Sequence, residues 1–245
     1  MVINSIILGG DFLKNNIPND SIDLIITDPP YKTTKRGSSG DTGGMLATEL
    51  SREGIIFENN DLNIEEYIDE LYRVLKPNSH LYIMTNNKNL RHFLNVMNES
   101  KFKVFKTLIW YKNAPITNMW YMDTHEYIIF ARKGKAVRIN NCGTKSVLEV
   151  PIVKDRLHPT QKPIELMKIL IENSSKIGDI VLDPFAGVGT TLIAAQQLKR
   201  NYLGYEIDPQ YHQIAEKLLN KESEIKVKKE VKVKKLKKLK GENKS

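Results

Sequence analysis

The sequence predicts an α/β fold whose sheet is mostly parallel and doubly wound, with helices on both faces. Short apolar runs bounded by turn residues alternate with segments of helical period along most of the 245 residues. Two of these runs end in an aspartate that begins a turn, at Asp28 and Asp183. In open sheets of this class, ligands bind outside the carboxyl ends of the strands. We therefore expect the functional residues at these two strand ends.

The first half of the chain contains four predicted strands and two predicted helices. Residues 21–27 form a short buried strand that ends at Asp28, because two prolines follow and cannot continue it. Residues 63–75 carry apolar side chains at helical spacing, and a Lys-Pro pair ends this helix. The other predicted elements are a strand at 80–85, a helix at 90–97, and strands at 105–111 and 126–131 that are close enough to pair.

The last third of the chain contains two further predicted strands, each followed by a helix. The first of these strands leads into a turn of small residues, and the second ends on an acidic residue. The predicted elements are a strand at 179–183, a turn at 184–191, a helix at 192–198, a strand at 202–206 and a closing helix at 209–219.

The composition is that of a globular protein, with 40% hydrophobic and 27% charged residues. No apolar stretch approaches the ~18 residues that a membrane-spanning helix needs. The single cysteine, Cys142, excludes an internal disulfide and a cysteine-based zinc site, and the five histidines lack ligand-like spacing. We therefore expect a cytoplasmic protein with no bound metal and no membrane association.

The basic charge of the chain is concentrated at one end. Residues 221–245 contain eleven Lys and four Glu, which accounts for +7 of the net charge of +8. This Lys-rich tail is expected to be disordered. It is either a solvated extension or an electrostatic tether for phosphate backbones, and in neither case would it read a base sequence.

The turn at 184–191 has the composition of a cofactor-binding loop. Gly187 and Gly189 permit a tight turn and the close approach of backbone to a ligand, although they could equally serve the turn alone. Glu206 ends the next strand, 19 positions after Gly187, where a carboxylate can bind both hydroxyls of a ribose. The pattern predicts a cofactor that carries a nucleoside, without distinguishing a nicotinamide from a sulfonium.

The turn at Asp28-Pro29-Pro30-Tyr31 has the groups needed to hold an exocyclic amine. A carboxylate and a proline carbonyl can together accept two hydrogen bonds from one amine, and the tyrosine ring can stack on the base that carries it. The alternative is a proline-rich turn with a capping aspartate. Because the turn follows a buried strand in a chain that also has a cofactor loop, the functional interpretation is favoured.

The sequence resembles the amino-methyltransferases of DNA, which transfer methyl from S-adenosylmethionine to the exocyclic amine of adenine or cytosine. The resemblance covers residues 4–219 and excludes the tail and the segment 33–60. The catalytic motif precedes the cofactor motif, which is the permuted order of the β group, found in restriction–modification systems and phages. The matching segments are Asp28–Tyr31, Leu71–Pro77, Trp110–Asn113, His158–Pro163 and Asp183–Gly189.

The resemblance implies a Rossmann-like methyltransferase sheet with circularly permuted motif order, and it assigns roles to individual residues. Asp28 and the Pro29 carbonyl would hold the target amine, and Tyr31 would stack on a base flipped from the duplex. The catalytic set is Asp28, Pro29, Pro30 and Tyr31. The cofactor set is Asp11, Lys162, Asp183, Phe185, Gly187, Gly189, Thr190 and Glu206.

Within the cofactor set, Glu206 would take the ribose and Lys162 would lie beside the cofactor's carboxylate. Asp11 would lie near the cofactor's adenine, or it is only a turn residue. His158 is expected to be structural, because no proton transfer in this scheme needs an imidazole. Trp110 either lines the pocket of the flipped base or belongs to the core.

Asp28 favours the N6 amine of adenine, because the cytosine-N4 enzymes of the family usually begin the motif with Ser. Cytosine-N4 methylation remains the nearest alternative. RNA or protein amines, a nicotinamide oxidoreductase and a non-catalytic DNA-binding subunit of a modification complex are more distant ones. The oxidoreductase would leave the Asp-Pro-Pro-Tyr turn unexplained.

The predicted organisation is one catalytic domain over residues 1–220 followed by the tail. Short target-recognition parts are expected near 33–60 and 133–156, and their small size predicts a short or relaxed recognition sequence. Double-stranded DNA is the expected partner, and a homodimer and a cognate restriction enzyme are further partners that the resemblance allows.

Overall fold

The protein is an eight-stranded sheet covered on both faces by helices. This computed structural model describes residues 5–30, 62–116, 121–158 and 160–223. The strands are β1 Ile6–Gly9, β2 Ile22–Thr27, β3 Leu75–Thr85, β4 Lys103–Ile116, β5 Asp123–Arg132, β6 Val147–Glu149, β7 Ile180–Asp183 and β8 Asn201–Glu206. The helices are α1 Ile68–Val74, α2 Asn87–Glu99, α3 Ile164–Ser174, α4 Thr190–Gln197, and α5 over residues 209–223.

The sheet has the strand order β1-β8-β7-β2-β3-β5-β4-β6. Every pairing is parallel except those of β5, which runs antiparallel to β3 and to β4. The predicted fold class is therefore confirmed. The carboxyl ends of β2, β7 and β8 lie next to one another at one edge of the sheet, which we call the catalytic edge.

Two hydrophobic clusters lie on opposite faces of the sheet, because successive residues of a strand point to opposite sides. On β2, Ile26 faces the cluster formed with α3, α4 and α5, whereas Ile25 faces the cluster formed with α1 and α2. Four of the six β2 residues belong to the two hydrophobic clusters, which explains why this strand reads as a nearly continuous apolar run. The sheet is doubly wound, as expected.

Several predicted elements differ from the observed ones in their bounds. The predicted helix at 63–75 consists of a 3-10 turn, Ile64–Glu66, followed by α1. The chain then enters β3 directly at Leu75, so the Lys-Pro pair belongs to the strand and not to a connecting loop. Helix α4 begins at Thr190, two residues earlier than predicted, because Gly189 caps it in a left-handed conformation.

Helix α4 packs closely on β8 at Gly204, and this contact leaves no room for a side chain. A Cβ on Gly204 would overlap with the buried side chain of Leu192 and would lie 3.3 Å from the Cβ of Ala186. The close packing keeps the amino end of α4 against the catalytic edge.

Gly204→Ala should therefore lower the free energy of unfolding by about 1–3 kcal/mol, as overpacked cores do. Chemical denaturation measures the change. The matched control is Gly9→Ala, in the neighbouring strand, where a Cβ would meet the His212 ring at an ordinary distance of 3.6 Å. Equal stability of the Gly204→Ala variant and wild type would contradict the close packing of α4 on β8.

Candidate active site

The catalytic edge brings together three carboxylates from three adjacent parallel strands. Asp28 follows β2, Asp183 ends β7 and Glu206 ends β8. The register places Ile25 beside Leu182, and Asp183 beside Gly204, so these strand ends are level with one another. The two turns singled out in the sequence thus meet at one site, although they are far apart in the chain.

The Asp28 carboxylate is held on one side only. Its Oδ2 accepts a hydrogen bond from the Lys162 ammonium, whereas its Oδ1 is buried and has no hydrogen-bond partner among the described residues. Burial raises the pKa of Asp28 above its usual value, and the charge of Lys162 opposes that rise. A buried acceptor without a partner is costly, so Oδ1 is a candidate acceptor for a donor that arrives with a ligand.

The other predicted catalytic residues adjoin Asp28. Pro29 is buried and Pro30 is partly buried, immediately after the end of β2. Tyr31 lies outside the described residues, so its stacking role stays a prediction. The same applies to residues 33–60 and to the tail beyond residue 223.

Lys162 lies in the segment that leads into α3, and its side chain is almost fully buried. Besides Asp28, its Nζ contacts Glu126 Oε2 at 3.3 Å, and Glu126 Oε1 in turn contacts Lys112 Nζ at 2.6 Å. The expected place of Lys162 beside a cofactor carboxylate stays a prediction. The protein itself provides Lys162 with two carboxylate partners.

The turn predicted at residues 184–191, which we call the cofactor turn, connects β7 to α4 and follows the buried Asp183. Asp183 Oδ1 accepts the backbone N–H of Phe185 at 3.2 Å. Burial raises the pKa of Asp183 to about 7, opposed by hydrogen bonds from Thr191 and from the Phe185 backbone. Gly187 has φ +54° and Gly189 has φ +80°, the left-handed conformation that favours glycine. Thr190 is buried at the first position of α4.

Glu206 is fixed by the backbone of two turns. Its Oε2 accepts the N–H of Gly187 at 2.7 Å, and its Oε1 accepts the N–H of Asp208 at 2.8 Å. Burial raises the pKa of Glu206, and both of these hydrogen bonds oppose the rise. A carboxylate has about four acceptor sites, so two remain for a ligand.

Asp11 occupies a turn that adjoins Glu206. Its Oδ1 caps the 3-10 helix Phe12–Lys14 by accepting the N–H of Leu13 at 2.9 Å. The preceding Gly10 donates its N–H to the Glu206 carbonyl at 2.9 Å, which fixes this turn at the catalytic edge. Asp11 is thus a capping residue in the structure, and its contact with a cofactor stays a prediction.

Tyr67 lies beside the cofactor turn, although no sequence pattern marks it as a site residue. The ring of Tyr67 packs against the ring of Phe185 at a centroid distance of 5.2 Å. Its hydroxyl is buried and has no hydrogen-bond partner among the described residues. Burial, together with the negative charges of Glu65 and Asp28, raises the pKa of Tyr67. In the sequence, Tyr67 lies on the apolar face of a helix and is indistinguishable from a core residue.

Two ring-bearing residues of the motifs that carry the resemblance, Trp110 and His158, contact other parts of the protein. Trp110 is buried, and its Nε1 donates to the Val150 carbonyl at 2.7 Å. The His158 ring packs against the Tyr211 ring at a centroid distance of 4.3 Å, and burial lowers the pKa of His158 to about 4. His158 is therefore neutral at pH 7.

The predicted recognition segment 133–156 runs from the end of the sheet opposite the catalytic edge towards the catalytic edge. Its beginning lies opposite the catalytic edge, where the Val137 carbonyl contacts the His80 ring and Lys133 Nζ contacts Asp20 at 2.6 Å. The segment then passes through β6, and residues 150–156 lead towards His158 and Lys162. Only this latter part approaches the site.

The described residues contain no cluster of three or more His, Cys, Asp or Glu side chains that could hold a metal ion. Within the same part of the chain, no helix has the length and apolar character required to cross a membrane.

Comparisons with known proteins agree with this geometry. The M.HinfI Type II methyltransferase of Haemophilus influenzae is 32% identical over 242 residues, which cover 87% of this chain and 67% of the relative. The M2.DpnII Type II methyltransferase of Streptococcus pneumoniae is 31% identical, with 87% of each chain covered.

Solved structures share the fold. The crystal structure of the M1.HpyAVI–SAM complex superposes with a TM-score of 0.63 at 29% identity, covering 87% of this chain and 98% of that one. The cytosine-N4-specific PvuII DNA methyltransferase superposes with a TM-score of 0.65 at 17% identity, which shows a common fold only. The sequence model of the N6/N4 DNA methylases matches residues 22–217. With the three strand-end carboxylates in place, the chain belongs to the DNA methylase family.

Proposed function

We propose that this DNA methylase transfers the methyl group of S-adenosylmethionine to the exocyclic N6 amine of an adenine flipped out of double-stranded DNA. The observation that carries the proposal is the buried Oδ1 of Asp28, which has no partner among the described residues. It lies at the same edge of the sheet as the turn 184–191 and Glu206. An amine donor and a nucleoside-bearing cofactor would thus meet there.

The residues of the cofactor turn fit S-adenosylmethionine. A Cβ added to Gly10 or to Gly187 would meet no atom within 4 Å, so open space adjoins both turns. Glu206 is fixed between them with acceptor sites to spare for two ribose hydroxyls. M1.HpyAVI, which shares 29% of its sequence with this chain, was crystallised with this cofactor. The cofactor supplies an electrophilic methyl group on a sulfonium.

The protein's contribution to the reaction is to position the amine. Asp28 Oδ1 and the Pro29 carbonyl would accept the two amine N–H groups, which directs the nitrogen lone pair at the methyl carbon. The nitrogen–carbon bond would form as the carbon–sulfur bond breaks, the sulfur would leave as a neutral thioether, and the methylated amine would release one proton to water. No covalent bond to the protein is required.

An aspartate at the first motif position supports adenine over cytosine as the target. The Type II methyltransferases M.HinfI and M2.DpnII, each about 30% identical, support a restriction–modification setting. Because the substrate of such an enzyme is DNA, the proposed location is the cytoplasm. The recognition sequence should be short or relaxed, because only residues 150–156 of the predicted segment 133–156 approach the site, and segment 33–60 lies outside the described residues. A homodimer and a cognate restriction enzyme stay predictions.

The experiment that tests the proposal is methyl transfer to DNA from a cofactor with a labelled methyl group. The DNA is digested to nucleosides and the label is separated chromatographically, while sequencing of the methylated DNA gives the context. We expect the label in N6-methyladenine within a short context. Label in N4-methylcytosine would contradict the choice of base, and DNA without label would indicate a non-catalytic subunit.

A further inference from the structure

We propose that Glu126 and Lys112 are positioning residues of the methyl-transfer reaction, which act through Lys162 to hold Asp28 ready for the target amine. The inference rests on the proposed function, because it assigns Asp28 to that amine. None of the sequence patterns pointed to Glu126, and Lys112 stood out only as part of a longer motif. The structure joins the two residues to the catalytic aspartate through one continuous chain of ion pairs.

The four side chains form a ladder of alternating charge, which we call the charge ladder: Lys112, Glu126, Lys162 and Asp28. Lys112 Nζ lies 2.6 Å from Glu126 Oε1, and Lys162 Nζ lies 3.3 Å from Glu126 Oε2 and in direct contact with Asp28 Oδ2. All four side chains are at most 20% exposed. The Trp110 ring lies within 6.0 Å of both ammonium groups.

The elements of the sheet bring these residues together. Lys112 is on β4, Glu126 is on the antiparallel β5, and the register pairs Trp110 with Glu126. Asp28 follows β2, two strands away. Lys162 crosses this distance from the segment before α3 and, within the part of the chain that the structure describes, links the two carboxylates.

Electrostatics explains why the ladder extends beyond Lys162 to Glu126 and Lys112. A buried ammonium between two carboxylates is shared by both, and an uncompensated buried charge is costly. Lys112 offsets the negative charge of Glu126 from the side away from Lys162. Glu126 therefore competes less strongly with Asp28 for the Lys162 ammonium. Glu126 in turn limits that attraction, since it holds Lys162 by a second contact. The ladder thus occupies Oδ2 of Asp28 and leaves Oδ1 available for a donor.

The electrostatic surroundings of Asp28 agree with this division of roles. Burial raises the pKa of Asp28 most strongly, Lys162 lowers it, Glu126 raises it and Lys112 lowers it slightly. Among the described residues, the titratable groups that interact electrostatically with Asp28 from the neighbouring elements are Lys162, Glu126, Lys112, Asp183 and Tyr67.

The ladder predicts pKa shifts of opposite sign for its two inner members. Lys162→Met removes the cation that lowers the Asp28 pKa, so the pKa should rise by about one pH unit or more. Glu126→Gln removes an anion and frees Lys162 to bind Asp28 fully, so the pKa should fall. A role of these residues in packing alone would not give opposite signs.

The first measurement is an NMR titration of protein labelled with ¹³C at the aspartate carboxyls, without cofactor or DNA. The Asp28 signal is assigned from its loss in Asp28→Asn. The matched control is Lys168→Met, which removes an ammonium from a partly exposed pair with Glu165 on α3, away from the site. We expect no shift of Asp28 in this control. Absent shifts in the ladder variants, or shifts of the same sign, would overturn the inference.

The second measurement is the pH profile of kcat in the intact enzyme. The acidic limb should move to higher pH in Lys162→Met and to lower pH in Glu126→Gln, with KM for DNA within a few-fold of wild type. If Lys162→Met does not fold, the shift of the acidic limb in Glu126→Gln alone tests the inference. If Lys162→Met weakens cofactor binding and leaves the acidic limb in place, Lys162 serves the cofactor and the inference is wrong. Because the titration needs no reaction, its outcome is independent of whether the wild type methylates adenine.

Discussion

Asp28→Ala should reduce methyl transfer to DNA on the order of 10³-fold while leaving the affinity for S-adenosylmethionine within a few-fold of wild type. Asp28 contacts Lys162 and has a buried Oδ1 without a partner among the described residues, whereas its neighbours Asp183 and Glu206 accept backbone N–H groups of the turn 184–191. Its loss therefore removes the acceptor that orients the amine and should change kcat more than cofactor binding.

Single-turnover transfer of the labelled methyl group measures the chemical step, and calorimetry measures cofactor affinity. The matched control is Asp23→Ala on the same strand, because Asp23 also pairs with a lysine, Lys76, at 2.5 Å. Asp23 lies at the opposite end of β2, so its loss should destabilise the fold without a comparable loss of transfer. Near-normal transfer by Asp28→Ala would refute its catalytic role.

Glu206→Ala should weaken the binding of S-adenosylmethionine by about 10- to 100-fold, corresponding to about 1–3 kcal/mol. The variant removes the acceptor for the ribose hydroxyls. It also leaves the N–H groups of Gly187 and Asp208 without the carboxylate that fixes both turns. The two effects act in the same direction, because a loosened turn must be ordered again when the cofactor binds.

Glu206→Gln separates these two effects. The amide oxygen can still accept one backbone N–H, but the amide nitrogen can accept nothing from a ribose hydroxyl. We expect an affinity between those of wild type and Glu206→Ala. The control is Glu99→Ala at the exposed end of α2, far from the site. Unchanged affinity in Glu206→Ala by calorimetry would exclude the ribose role.

The strands at the catalytic edge could be predicted from the sequence because their signals are local. The strand before Asp28 is a short apolar run stopped by prolines. The other two strands end on acidic residues, β7 at Asp183 and β8 at Glu206. A parallel sheet places such ends at one edge, so the meeting of Asp28, Asp183 and Glu206 followed from the fold class. The sequence has no comparable strand pattern at β1 and β6, because these strands are short and are the first and last strands of the sheet.

The charge ladder could not be predicted because its members are joined only by the tertiary structure. Lys112 and Glu126 lie on strands whose register brings them together, and no sequence spacing specifies that register. The family resemblance places Lys162 beside the carboxylate of the cofactor. No sequence signal indicates its two carboxylate partners within the protein. Similarly, the burial of the Tyr67 hydroxyl near Asp28 depends on how α1 follows the 3-10 turn.

The strand order also has a consequence for the order in which the protein folds as it is synthesised. Among the described strands, β1 pairs with β8 alone, and one side of β2 pairs with β7. Both partners lie beyond residue 179, so a nascent chain that has not reached them exposes unpaired strand edges. Closing such long loops is slow compared with local pairing. The sheet therefore becomes complete only after β8 has been synthesised, and until then its unpaired strand edges favour aggregation.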